Sequence, residues 1–163
     1  MKTAVCPGSF DPVTYGHLDI IRRAAAMFDR VVVVVMTNAS KQPMFTKEER
    51  VDFLHRATAG MDNVEIDSFG GLLADYAARK NATVIVKGLR AMSDFEYEFQ
   101  MALTNRKLNP SIETAFLTTT AEYMYLSSSL VKQVAEFGGD INGFVPECII
   151  GDIHKKVNVR TNP

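Results

Sequence analysis

The sequence contains, at residues 30–36, the stretch Arg-Val-Val-Val-Val-Val-Met, in which six apolar and mostly β-branched residues follow the arginine. β-Branched residues favour strands, and an unbroken apolar run is typical of a strand that is buried on both faces, as in a parallel sheet. Such a sheet needs helices on both of its sides. Residues 30–36 therefore predict an α/β fold.

The segments on either side of this strand alternate between strand-like and helix-like patterns. Further short apolar segments predict strands at 4–6, 64–68, 83–87 and 114–118. Apolar residues at helical spacing, or a capping box such as Thr46 with Glu49, predict helices at 16–28, 46–59, 71–80, 94–108, from 127 to just before Gly138, and briefly after Pro146. This alternation indicates a five-stranded, parallel, doubly wound Rossmann-like sheet. We expect one domain over 1–157 and a frayed tail over 158–163.

Composition excludes several classes of function. The 163 residues carry 18 basic and 19 acidic side chains, so no global positive charge attracts nucleic acid or an acidic membrane surface. The two cysteines, Cys6 and Cys148, are too few for a disulfide framework or a four-ligand zinc site. We find neither a signal-peptide pattern nor an apolar run of membrane-spanning length, and we expect a cytoplasmic protein.

In open parallel sheets, ligands bind beyond the carboxyl ends of the strands. The loop after the first strand, residues 7–17, carries Ser9, Gly16 and His17, and it ends where a helix begins, which favours an anion. It lacks the glycine patterns of P-loop enzymes and of dinucleotide-binding dehydrogenases.

Three other loops carry groups that suit phosphate: Lys41 after the second strand, residues 87–90 (Lys-Gly-Leu-Arg) after the fourth, and the three serines 127–129 before a helix. Each taken alone is better explained as a helix cap or a solvated surface. Together, four of the five loops at one edge of the sheet indicate phosphoryl or nucleotidyl transfer, which needs positioning and charge stabilisation.

The loops offer no cysteine nucleophile and no cluster of metal ligands. Asp94, Glu96 and Glu98 are spaced two apart on a predicted helix, so we expect them not to share a face. No metal site made by the protein is therefore predicted.

The stretch Gly8-Ser9-Phe10-Asp11-Pro12, followed by Thr14-Tyr15-Gly16-His17, resembles the T/H-x-G-H motif of the nucleotidyltransferase superfamily. Further stretches are similar to the phosphopantetheine adenylyltransferase family: 41–45 (Lys-Gln-Pro-Met-Phe), 48–50 (Glu-Glu-Arg), 88–91 (Gly-Leu-Arg-Ala), 94–98 (Asp-Phe-Glu-Tyr-Glu), 105–106 (Asn-Arg) and 127–132 (Ser-Ser-Ser-Leu-Val-Lys). The resemblance covers about residues 3–147 in one register.

The resemblance implies a nucleotidyltransferase fold and an activity that moves AMP from ATP to 4′-phosphopantetheine, giving dephospho-coenzyme A and pyrophosphate. It also implies Mg²⁺, held mainly by substrate phosphates and water, and a homohexamer. Coenzyme A is a further candidate ligand, as a feedback inhibitor.

The resemblance also assigns roles to individual residues. His17, as transition-state stabiliser, and the cations Lys41 and Arg90 would be catalytic. The acceptor would contact Ser9, Lys41, Leu73 and Lys87. ATP would contact Ser9, Phe10, His17, Gly88, Leu89, Arg90, Glu98, Tyr123, Met124, Tyr125, Leu126, Ser127, Ser128 and Ser129.

Two positions depart from the family pattern. Ser9 stands where many members have threonine and keeps the hydroxyl, whereas Lys87 replaces a frequent arginine and loses its bidentate geometry. Two alternatives stay open. One is a relative that acts on nicotinamide mononucleotide or uses CTP, and the other is a non-catalytic, flavodoxin-like module that binds a nucleotide.

Overall fold

The computed structural model describes residues 1–161, and the side chains of all of these except 92, 93, 160 and 161. The strands in this part of the chain are β1 (Thr3–Gly8), β2 (Arg30–Met36), β3 (Val64–Phe69), β4 (Val84–Leu89) and β5 (Glu113–Thr118). The α-helices are α1 (Tyr15–Met27), α2 (Lys47–Ala57), α3 (Leu73–Arg79), α4 (Met92–Leu108), α5 (Ser128–Glu136) and α6 (Glu147–Thr161). A 3₁₀ turn spans Ala121–Tyr123.

The five strands form one parallel sheet in the order β3-β2-β1-β4-β5, which confirms the predicted α/β architecture. The chain runs outward from β1 to β3 and then crosses back to β4, so the strand order reverses between β1 and β4. β1 pairs with β2 along its whole length, from Thr3 to Gly8. Its pairing with β4 is confined to Ala4↔Val84 and Val5↔Ile85, so a crevice opens between the two strands beyond these residues.

The valine run of β2 forms the centre of the core. All five valines are fully buried. Val31, Val33 and Val35 face one apolar cluster, whereas Val32 and Val34 face a second one together with residues of α3. Burial of a valine side chain contributes about 1.5–3 kcal/mol. The run is therefore apolar because helices cover both sides of the sheet, as predicted.

Three predicted boundaries need correction. β1 and β4 extend through Gly8 and Leu89, so parts of both expected loops are strand. Helix α6 continues to Thr161, where we expected a frayed tail from residue 158, and residues 162 and 163 lie outside the described residues. The reason is an apolar stripe at four-residue spacing, Ile149, Ile153 and Val157, which is buried in the core.

One apolar stripe of the structure is not buried. Phe95, Phe99 and Leu103 follow one another at four-residue spacing on α4, and all three are classed among the exposed large apolar side chains. Separately, no helix in the described part of the chain has both the length and the apolarity needed to cross a membrane.

Candidate active site

A pocket of ≈ 460 Å³ opens where β1 and β4 part. Its floor is formed by residues of the two strands, including Cys6, Gly8 and Val86, and its walls come from the loops that follow them and from residues of α1, α4 and α5. Burial raises the pKa of the Cys6 thiol to about 12, against a smaller opposing effect of Lys87, so the floor carries no charge. The predicted site residues that line it are Ser9, Phe10, His17, Lys87, Gly88, Arg90, Glu98, Tyr123, Leu126, Ser127, Ser128 and Ser129.

A second pocket of ≈ 680 Å³ adjoins the first, and Ser9, Ser128 and Ser129 line both. Lys41 lies in this second pocket, beside the loop that leaves β2. The structure thus brings the four predicted loops to one edge of the sheet, around two connected spaces.

Four predicted residues line neither pocket. Leu73 packs against the apolar cluster around α3, and Leu89 ends β4. Met124 and Tyr125 are exposed just beyond the 3₁₀ turn. The structure does not bring these four to the pocket walls, and their roles stay predictions.

His17 owes its orientation to the start of α1. Thr14 is the N-cap: its hydroxyl accepts a hydrogen bond from the His17 N–H (3.3 Å), while the Thr14 N–H donates to His17 Nδ1 (3.0 Å). Because Nδ1 accepts, the neutral ring carries its proton on Nε2. Both Thr14 and His17 line the pocket.

The charge state of His17 follows from its surroundings. Burial, and then the nearby cations Lys87 and Arg90, lower the pKa of His17 to about 4. The imidazole is therefore neutral at pH 7, and its Nε2–H is a neutral donor.

Phe10, in the loop before α1, has an unusual backbone conformation. This residue has φ 48°, in the left-handed region that bulky residues rarely adopt. The turn places the Phe10 ring edge-on against the imidazole, with 5.1 Å between the ring centres.

Two cations, Lys87 near the end of β4 and Arg90 just after it, are paired with carboxylates of α4. Lys87 Nζ lies 3.3 Å from Glu98 Oε1, and Arg90 Nε lies 3.2 Å from Asp94 Oδ2. The Arg90 guanidinium also donates to the Leu126 carbonyl (3.1 Å), which ties the β4 loop to the segment before α5.

These pairs correct the expectation that the acidic residues of α4 do not share a face. Asp94 and Glu98 are four residues apart, one helical turn, and both line the pocket. Spacing of two, as in Asp94 and Glu96, does separate faces. Among the described side chains, no three His, Cys, Asp or Glu residues gather as metal ligands.

The serines at the start of α5 make different hydrogen bonds. Ser127 is the N-cap, and its hydroxyl accepts from the Leu130 N–H (3.1 Å). The Ser128 hydroxyl donates to the Pro12 carbonyl (2.7 Å), which joins α5 to the β1 loop. Because the first turn of a helix has unpaired N–H groups, this end of α5 suits a phosphate.

Three charged residues of the second pocket were not predicted from the sequence: Asp11, Arg50 and Lys132. All three stand inside the stretches that carry the family resemblance, but nothing in their spacing indicates a role. The salt bridge between Asp11 and Lys132 joins residues 121 positions apart, and only the tertiary structure shows it.

Comparison with known proteins agrees with this geometry. The model of the cytidylyltransferase-like family matches residues 5–134. A phosphopantetheine adenylyltransferase of Clostridium tetani is 60% identical over 158 residues, 97% of this chain and 99% of that protein. Another of that name, from Caldanaerobacter subterraneus subsp. tengcongensis, is 55% identical over 156 residues, 96% of this chain and 98% of that protein.

A solved structure supports the fold alone. The nicotinic acid mononucleotide adenylyltransferase of Plasmodium falciparum, complexed with NaAD, superposes with a TM-score of 0.69 at 13% identity, covering 99% of this chain and 97% of that one.

The lowered pKa of His17 predicts a pH-dependent loss of stability. Between about pH 6.5 and 4 the unfolded chain binds a proton at this residue that the native chain does not, so stability that is complete above pH 6.5 falls as the pH drops towards 4. In His17→Gln this fall should be less steep: the slope of the free energy of unfolding against pH should be smaller than in the native chain by up to about 1.4 kcal/mol per pH unit. Urea unfolding at several pH values measures the slope.

The matched control is His55→Gln, which removes an exposed histidine from α2. If the His17 variant and the native chain lose stability with the same slope, the neutral, buried state assigned to this imidazole is wrong.

Proposed function

The chain belongs to the phosphopantetheine adenylyltransferase family, and we propose that it transfers the adenylyl group of ATP to the phosphate of 4′-phosphopantetheine, giving dephospho-coenzyme A and pyrophosphate. One observation carries the proposal: His17, the two cations at the end of β4 (Lys87 and Arg90) and the N-terminus of α5 converge on one pocket, and a second pocket with Lys41 opens beside it. Two connected spaces suit a reaction between two phosphate-bearing substrates.

In this proposal ATP occupies the pocket between β1 and β4. Its phosphates would meet Arg90 and the first turn of α5, where both a guanidinium and unpaired N–H groups are available. The acceptor phosphate would lie where the two pockets join, at Ser9, with Lys41 on its other side. Lys87, which the family resemblance assigns to the acceptor, lies on the wall of the first pocket and would hold the acceptor phosphate from that side.

The chemistry is a direct in-line displacement. An oxygen of the acceptor phosphate forms a bond to the α-phosphorus of ATP, the bond from that phosphorus to the bridging oxygen of the β-phosphate breaks, and pyrophosphate leaves. The attacking phosphate is already anionic, so no base or enzyme nucleophile is needed. The work of the protein is to align the two phosphates and to stabilise charge in the transition state.

A neutral His17 suits the stabilisation of charge in the transition state. Its Nε2–H would donate to an oxygen of the reacting phosphate, and Thr14 at Nδ1 holds that donor in place before substrate binds. Lys41 and Arg90 would supply the positive charge. The ion pairs of Lys87 and Arg90 with Glu98 and Asp94 keep both cations aimed along the pocket wall.

Mg²⁺ belongs to the same proposal as a partner of ATP. When bound it would neutralise charge on the β- and γ-phosphates. The donor set of the protein fits this arrangement, because the two carboxylates of the first pocket, Asp94 and Glu98, are engaged by Arg90 and Lys87 and leave the metal to phosphate oxygens and water.

The direct test of the reaction is incubation of the chain with ATP, Mg²⁺ and 4′-phosphopantetheine, followed by detection of dephospho-coenzyme A. Pyrophosphate release with nicotinamide mononucleotide as acceptor, or with CTP as donor, would point to a different member of the superfamily. Nucleotide binding without turnover would point to a binding module.

His17→Ala should lower turnover by at least roughly 100-fold, because a preorganised donor to the transition state is lost. Binding of ATP should weaken much less, since this donor matters most when charge develops. Steady-state kinetics and calorimetric titration with ATP measure the two effects. His55→Ala is the control, and turnover near normal in His17→Ala would remove this residue from the mechanism.

The exposed apolar stripe of α4 supports a further part of the proposal, self-association. Phe95, Phe99 and Leu103 are 38%, 47% and 55% exposed, and the two phenylalanine rings stack with 5.4 Å between their centres. A contiguous apolar surface is typical of a contact site. We propose that a second copy of the chain covers this stripe in a homohexamer.

Coenzyme A contains the whole phosphopantetheine unit. We propose that it binds the two pockets of the active site as a feedback ligand.

The α4 stripe predicts that Phe99→Glu and Leu103→Glu lower the association state, because each places a charge in a contact that is apolar. Light scattering coupled to gel filtration measures the mass. Val159→Glu makes the same kind of change at an exposed site on α6 and should leave the mass unchanged. A native chain that is monomeric, or variants that assemble normally, would contradict this part of the proposal.

A further inference from the structure

The most deeply buried acid beside the two pockets is Asp11, which is only 5% exposed. Its Oδ2 accepts a hydrogen bond from the Met44 N–H and its Oδ1 from the Phe45 N–H, both at 2.9 Å. Lys132 Nζ lies 2.9 Å from Oδ2 and balances the charge. One carboxylate thus joins the loop after β1, the loop after β2 and helix α5.

A buried carboxylate is costly unless charged and hydrogen-bonding partners compensate it. The partners of Asp11 are two main-chain N–H groups, so the interaction constrains the path of the backbone and not merely one side chain. Those N–H groups lie at the end of the loop that connects β2 to α2. Lys41 lies three residues before Met44 on that loop.

Arg50 makes a second tie between the same segments. It is 4% exposed, and its guanidinium donates to the Ser9 carbonyl (2.9 Å) and to the Thr46 carbonyl (3.3 Å). Residues 9–11 are therefore connected to residues 44–46 at two points. The position of Lys41 relative to the Ser9 hydroxyl depends on these ties, because the loop is otherwise exposed over 38–43.

We propose that Asp11 is a positioning residue for the acceptor: through the Met44 and Phe45 N–H groups it holds the loop of Lys41 across the second pocket. Asp11 touches neither substrate in this arrangement and acts through Lys41. The inference rests on the proposed function, in which Lys41 and Ser9 hold the acceptor phosphate. It adds a residue for which the family resemblance implies no role.

The test compares Asp11→Asn with a matched control, Asp67→Asn. Asp67 is a half-buried acid that likewise accepts from a main-chain N–H (Ser68, 2.8 Å) and pairs with a lysine (Lys80 Nζ, 2.6 Å), but it lies on β3 and lines neither pocket. Asparagine cannot accept both N–H bonds, so the loop should lose its anchor. We expect KM for 4′-phosphopantetheine to rise on the order of 10- to 100-fold, while KM for ATP stays within about twofold.

Asp67→Asn should shift neither KM. An unchanged KM for the acceptor in Asp11→Asn, or an equal rise in both KM values, would overturn the inference, because loss of stability alone favours neither substrate. If the native chain forms no dephospho-coenzyme A at all, the proposed function fails and the inference fails with it. An active native chain with an unaffected Asp11→Asn variant defeats only the inference.

Two further variants separate anchoring from charge balance. Asp11→Asn combined with Lys132→Met removes both members of the pair. If Asp11 serves only to neutralise Lys132, the double variant regains the native KM for the acceptor, and the inference is overturned. If it anchors the loop, KM stays high. Asp11→Glu keeps the charge beside Lys132 but displaces the carboxylate by one methylene, so it supplies the same comparison where Asp11→Asn does not fold.

Amide hydrogen exchange gives a readout that is independent of activity. Exchange at Met44 and Phe45 should accelerate in Asp11→Asn and stay slow in Asp67→Asn. Unchanged exchange at these two amides would show that the carboxylate does not hold the loop, and would likewise overturn the inference.

Discussion

β1 and β4 are bonded to each other through only two residue pairs before they part. Every feature of the candidate site depends on this early separation. The strand order reverses between β1 and β4, so the crossover connections leave the sheet on opposite sides and leave a gap at its carboxyl edge. The strands on the far side of β1 stay paired to their ends, which keeps the gap narrow and its floor rigid.

The electrostatics of the gap follow from its depth. The floor carries a thiol that burial keeps neutral, and the wall carries an imidazole that burial and two nearby cations keep neutral. Positive charge lies at Lys87 and Arg90 on the pocket wall, and at Lys41, Arg50 and Lys132 in the adjoining space. Such a site can accept phosphate charge without carrying an unpaired buried cation of its own, since Lys87 and Arg90 are balanced by carboxylates of α4.

The loops around the gap are held in place by hydrogen bonds that do not involve the strands. Arg90 donates a hydrogen bond to the Leu126 carbonyl, and Ser128 donates one to the Pro12 carbonyl. Asp11 accepts a hydrogen bond from the backbone of the loop after β2. Each contact joins one loop to another loop or to the start of α5, so these segments support one another. A binding site made of separate loops needs such ties, because misplacement of one group by about 1 Å costs on the order of 100-fold in rate.

The valine run, the alternation of strands and helices, and the residues of the four phosphate-suited loops could all be recognised from local pattern, because strand burial, helix capping and turn chemistry are local properties. The sequence by itself therefore determined the α/β class and most of the groups that line the pocket. It did not determine that α6 would be long or that the α4 stripe would stay exposed. It also did not reveal that Asp11, Arg50 and Lys132 would meet. Those outcomes depend on which segments the folded chain brings together across 40 to 120 positions, and no spacing along the sequence specifies a contact of that range.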